Sequence, residues 1–141
     1  MRVELATIQH MGRAIQETFR LYRRTHLAHW NVRGPDFPQL HALFEEQYTE
    51  LWNALDALAE RARSLGTDVE PTWLTGEDGS VETNGQAIVR GLAADHRAIT
   101  QTFQQLAEAS GGAGDVATED LAVERMRAHD QMAWMLEATS A

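Results

Sequence analysis

The chain has no cysteine, which excludes disulfides and thiolate metal sites together. No apolar run approaches the length needed to span a bilayer, so no membrane helix is expected. The opening MRVELATIQHMG lacks the uninterrupted apolar core of a secretory signal, which makes the cytoplasm the expected location. Positive charge is in the minority, with 12 Lys plus Arg against 21 Asp plus Glu, for a net charge of −9. That balance disfavours non-specific attachment to nucleic acid or anionic lipid and is compatible with attracting cations. Internal repeats and low-complexity tails are missing too. What is present, 141 residues with 43% hydrophobic and 23% charged side chains, suits one globular domain over 1–141.

Hydrophobic periodicity predicts four long helices and no strands. In the first, over 3–30, Leu5, Ile8, Met11, Ile15, Phe19 and Tyr22 recur every three or four residues. Gly34 and Pro35 end that pattern, and Asp36 is placed to cap a second helix running to about Leu65. Its expected core face is Leu40, Leu43, Phe44, Leu51, Leu55 and Leu58. Residues 66–82 carry Gly66, Pro71, Gly76 and Gly79 and have no period. A connection this long can travel the length of a helix, so the second and third helices are expected to run parallel, as in ferritin-like bundles. The third helix is expected over 86–109, capped by Thr83 or Asn84, with Ile88, Leu92, Ile99, Phe103 and Leu106 inward. Ser110 to Gly114 reads as a turn, Asp115 as the next cap, and Leu121, Met126, Trp134 and Leu136 as the core face of the fourth helix.

Chemistry concentrates between His29 and Glu60. His41, Glu45, Asp56 and Glu60 are spaced 4, 11 and 4 residues apart on the second helix. At roughly 100° per residue they share one stripe, and with His29 they supply imidazole and carboxylate ligands suited to iron, zinc or manganese. Yet His41 and Glu60 stand about 28 Å apart along a helix, too far for one ion. The pairs His41/Glu60 and Glu45/Asp56 share a midpoint between Glu50 and Leu51. Two copies packed antiparallel about a two-fold axis there would face His41 and Glu45 of one chain with Glu60 and Asp56 of the other. The expected site is therefore shared between subunits of a homo-oligomer. The plainer alternatives are solvated helix charges, with Glu60 paired to Arg61 or Arg63.

The segment THLAHWNVRGPDFPQLHALFEEQYTELWNALDALAERARSLG resembles the Dps family of mini-ferritins. The carriers are the His29–Trp30 pair, the G-P-x-F turn, Leu40–His41 twelve residues after His29, and D-x-x-x-E ending in AER. The last helix, TEDLAVERMRAHDQMAWMLEA, is similar as well, whereas 67–85 departs from the family, which commonly has a short helix there. The resemblance implies a hollow dodecamer of four-helix subunits, with ferroxidase centres at two-fold interfaces. It further implies Fe(II) oxidised preferably by hydrogen peroxide and stored as ferric mineral. It places His29, His41 and Glu45 on one side of each centre and Asp56 and Glu60 on the mate's side. Many members have Asp where this chain has Glu45. Classical ferritins use Glu-x-x-His pairs within one bundle, and no E-x-x-H occurs here.

Other residues admit two readings. Asp115, Glu119 and Asp120 are either caps and dipole partners or the acidic lining of a three-fold pore that the resemblance implies. Trp30, Trp52 and Tyr48 are apolar fillers with a second reading as interceptors of oxidising radicals. His26 reads as a surface or supporting group, and His10, His96 and His129 have no nameable partner. Only Arg2 precedes His10 and no basic residue follows Arg127, so tight direct DNA binding at physiological salt is not expected. A rival function is a non-catalytic assembly protein whose polar stripe only stabilises a dimer.

Overall fold

The computed structural model describes residues 4–76 and 79–139. Four helices make up its framework: α1 (Leu5–Asn31), α2 (Phe37–Ser64), α3 (Gly85–Gly112) and α4 (Val116–Ala138). A 3-10 turn, Pro71–Leu74, interrupts the α2–α3 connection. Apart from an isolated bridge between Arg33 and Asn84, the described residues contain no β-structure. The architecture is the expected all-α, ferritin-like four-helix bundle.

The α2–α3 connection is a crossover, and the two helices run parallel. Their starts lie at the same end of the bundle, where the Arg33 N–H donates to the Thr83 carbonyl at 2.8 Å. The crossover runs along α1. Trp73 lies over Gly12, where a Cβ would come within 2.7 Å of the indole. The Gln16 amide donates to the Thr72 carbonyl at 3.5 Å, and Arg23 donates to the Gly76 carbonyl. Positions 12, 16 and 23 lie on one side of α1, so one face of that helix seats Thr72, Trp73 and Gly76 of the connection.

Packing is continuous from α2 through α1 and α3 to α4. Met11, Ile15, Phe44, Leu51, Leu58, Ile99, Phe103, Leu106 and Leu136 are all fully buried. Between α2 and α4, by contrast, polar side chains cross the seam. Gln47 donates to the Met132 carbonyl, Arg125 forks onto Glu50, and Arg61 reaches Asp115 and Thr118.

Several boundaries and faces differ from the sequence expectation. Asp36 makes no side-chain cap; its backbone, at φ −97° and ψ 15°, is outside the extended region from which a cap side chain reaches back to the first turn. Asn84 and Asp115 do cap, accepting from the Ala87 and Thr118 N–H groups at 2.9 and 3.1 Å. α3 continues past Ala109 to Gly112, and the chain then turns through Gly114 at φ 78°, a conformation that suits glycine. Leu5 and Trp134 are exposed. On α4 the inward line is Thr118, Ala122, Arg125, His129, Met132, Ala133 and Leu136. Trp134 stands about 100° around the helix from Ala133, which turns it outward.

Candidate metal centre

α1 and α2 form an antiparallel hairpin closed by the turn at Gly34, whose φ of 124° favours glycine. The hairpin sets the last turn of α1 against the first turns of α2, and there His29 and His41 meet. Their rings are stacked with centroids 3.7 Å apart and 13° between planes. Each Nδ1 lies 2.7 Å from the main-chain carbonyl of the other residue. A carbonyl oxygen can only accept, so both Nδ1 atoms carry a proton, and in the neutral rings the lone pair is on Nε2. Fixing the tautomer through the far nitrogen is how an imidazole is prepared to ligate a cation. Glu45 Oε1 stands 3.8 Å from His29 Nε2. In the neutral form, two Nε2 nitrogens and the exposed Glu45 carboxylate are donor types that could hold a divalent iron, zinc or manganese ion.

Asp56 and Glu60 lie on exposed positions further along α2. Glu60's carboxyl is pushed upward by its hydrogen bond with Asp56 and then by that neighbour's charge. Neither arginine relieves it. Arg61 turns to Asp115 at 3.0 Å and Arg63 to Asp68 at 2.9 Å, so the plainer alternative of a Glu60–arginine pair is not formed. Within one chain the structure brings His29 against His41, with Glu45 3.8 Å from His29, and Asp56 against Glu60, and it keeps these two groups apart. Among the described residues, no three His, Asp or Glu side chains of the single chain are grouped so as to hold an ion.

An aromatic array backs the histidine half. His26 is stacked between Trp30 and Tyr48 at centroid distances of 3.9 and 3.8 Å. Its Nδ1 is 2.9 Å from the Tyr22 hydroxyl. Burial, then the neighbouring His29, holds the His26 ring below its ordinary range. Burial and then Tyr48 raise the Tyr22 phenol. Trp30 and Trp52 cap this array but are 61% and 57% exposed, so they do not fill the core of the single chain as expected. His26 is a packed supporting group with a named partner, which sequence spacing did not reveal.

Of the acidic residues near the start of α4, Asp115 is committed to the Thr118 cap and the Arg61 ion pair. Asp120 is exposed.

The ferritin-like domain model matches residues 8–140. The DNA protection during starvation protein of Brevibacillus brevis is 32% identical over 134 residues, covering 91% of this chain and 90% of that protein. A Dps protein from Bacillus brevis has a crystal structure similar to this fold, with a TM-score of 0.91, 27% identity and 100% of both chains covered. A Dps protein from Vibrio cholerae O1, described as a member of a broad superfamily of ferritin-like diiron-carboxylate proteins, gives a TM-score of 0.86 at 27% identity, covering 96% and 89% of the two chains.

Proposed function

The chain belongs to the Dps family of ferritin-like proteins, and from that premise we propose that it is an iron-storing mini-ferritin whose ferroxidase centre is shared between two subunits. His29, His41 and Glu45 of one chain, with Asp56 and Glu60 of its mate, bind Fe(II) and leave positions open to an oxidant. Hydrogen peroxide takes one electron from each of two Fe(II) ions, so hydroxyl radical is not released. Imidazole nitrogens sustain the initial affinity for Fe(II), and the carboxylates favour the ferric product. Ferric ions then leave for an acidic inner surface and mineralise inside a closed shell, expected to be a dodecamer in the cytoplasm. Zinc and manganese are competitors for the same ligands.

The observation that carries this reading is the reciprocal pair of Nδ1–carbonyl contacts at 2.7 Å, which leaves both histidines ready as Nε2 donors. A stripe that only glued a dimer together would have no need of two matched tautomers beside a carboxylate.

The test is anaerobic Fe(II) titration followed by peroxide. Stoichiometric binding and fast oxidation are expected in the wild type. The double variant His29→Ala/His41→Ala should keep its assembled mass and lose oxidation rate by roughly 10–100-fold or more, at least the loss usual for disturbing a metal site's supporting groups. Absence of stoichiometric Fe(II) binding by the assembled wild type would favour the assembly protein instead.

A further inference from the structure

His96 and His129 lie in the bundle interior with no exposed surface, far in sequence from the metal half-sites. Their Nδ1 atoms are 2.9 Å apart. Arg125, itself only 4% exposed, places Nη2 3.1 Å from His129 Nε2 and 2.9 Å from a Glu50 carboxylate oxygen, with Nη1 on the other oxygen. Phe103 stacks on the His129 ring.

The proton positions in this chain of contacts are determined by valence. Arginine only donates, so His129 Nε2 must accept. A neutral His129 then carries its proton on Nδ1 and donates it to His96 Nδ1. His96 in turn holds its proton on Nε2, an atom buried without a hydrogen-bond partner. Neither ring has room for a second proton. Adding one to His129 Nε2 sets N–H against the Arg125 N–H. Adding one to His96 Nδ1 sets N–H against the His129 N–H. Either event breaks a bond of the chain and leaves an imidazolium in the core beside a buried guanidinium, a costly arrangement.

We propose that Glu50, Arg125, His129 and His96 form a latch joining α2, α4 and α3 that opens in acid, with the proton itself as its ligand. The surrounding charges reinforce the geometry. Burial and then Arg125 and Arg97 hold His96 down to about 3, and burial, Arg125 and His96 hold His129 well below its ordinary value. Arg97, on α3, is tied to Asp130 and Glu137 on α4. Glu50 on α2 is engaged with Arg125, and no group on α1 contributes to either shift. Because both folded values are depressed, the unfolded chain binds more protons between the two states' values. The latch therefore stabilises fully above about pH 6.5, and its contribution falls away as pH drops below that. Glu50 sits midway along α2, so opening also frees the middle of the helix that carries the metal stripe.

The experiment is urea unfolding of the intact oligomer at fixed protein concentration from pH 7.5 to 5.5, comparing wild type with His96→Gln/His129→Gln and with a His10→Gln control. Two protons taken up on opening would raise the wild-type unfolding constant by roughly 30-fold between pH 6.5 and 5.5 beyond the change in the double variant. The His10 variant should follow the wild type. Equal pH slopes in wild type and double variant would overturn the latch. If the double variant does not fold, nitrogen-15 spectra of histidine-labelled wild type decide. At pH 7.5 His129 should carry its proton on Nδ1 and His96 on Nε2, and on acidification imidazolium signals from either ring should appear only together with loss of the native packing signals; imidazolium signals from them with native packing unchanged would refute the proposal.

Discussion

Gly12 and Gly91 are both helical glycines, and the same substitution should act on them in opposite directions. A Cβ at Gly91 meets nothing within 4 Å, so Gly91→Ala should stabilise the chain by about 0.5–1 kcal/mol through lost backbone freedom in the unfolded state. A Cβ at Gly12 would enter the Trp73 ring, so Gly12→Ala should lift the crossover off α1 and cost about 1–3 kcal/mol as overpacking. Urea midpoints of the two variants check both signs. At the same scale, His29 and His41 show a limit of pattern reading. Their spacing marked them as ligand candidates, but the tautomers depend on carbonyls brought across from the other helix. Nothing local to either residue reports that.

Among the elements, α4 is held in large part by polar contacts. Asp115 caps it, pairs with Arg61, and receives the Thr118 hydroxyl. Burial pushes the Asp115 carboxyl up, but the Thr118 bonds and Arg61 prevail and hold it below its usual range. A depressed carboxylate stabilises the folded state above its unfolded value near pH 3.9, and that contribution disappears as pH falls through the folded value. Asp115→Ala should cost about 1–2 kcal/mol at neutral pH. Asp115→Asn should cost less, since an amide oxygen still caps, and thermal unfolding of both separates cap from ion pair. Sequence placed this cap correctly because capping is local. It misplaced Trp134, since the inward line of α4 includes Arg125 and His129, and polar residues on a core face mislead any reading that follows apolar periodicity alone.

For the whole molecule, the exposed aromatics are the main outstanding surface. Trp30, Trp52 and Phe37 are exposed around the His29–His41 half-site, and Asp56 and Glu60 follow Trp52 on the same helix. A second copy seated on this surface would cover them and complete the ligand set. Trp52→Glu should therefore shift the mass measured by light scattering toward smaller species and abolish peroxide-driven iron oxidation in step, while far-ultraviolet circular dichroism stays helical. DNA retardation should remain absent at 150 mM salt, a condition at which a chain of net charge −9 has few phosphate contacts to offer. A clear gel shift would contradict that expectation.

The amino-acid order by itself determined four helices, the long α2–α3 connection and the mirror-spaced stripe on α2. Each is written in periodicity, turn residues and spacing within a single element. Only the tertiary structure decided where the crossover lies, which nitrogens of His29 and His41 stay free, and that His96 and His129 find each other in the core. Those outcomes depend on how helices are rotated and shifted against one another, and that relation is set by packing between residues distant in the chain.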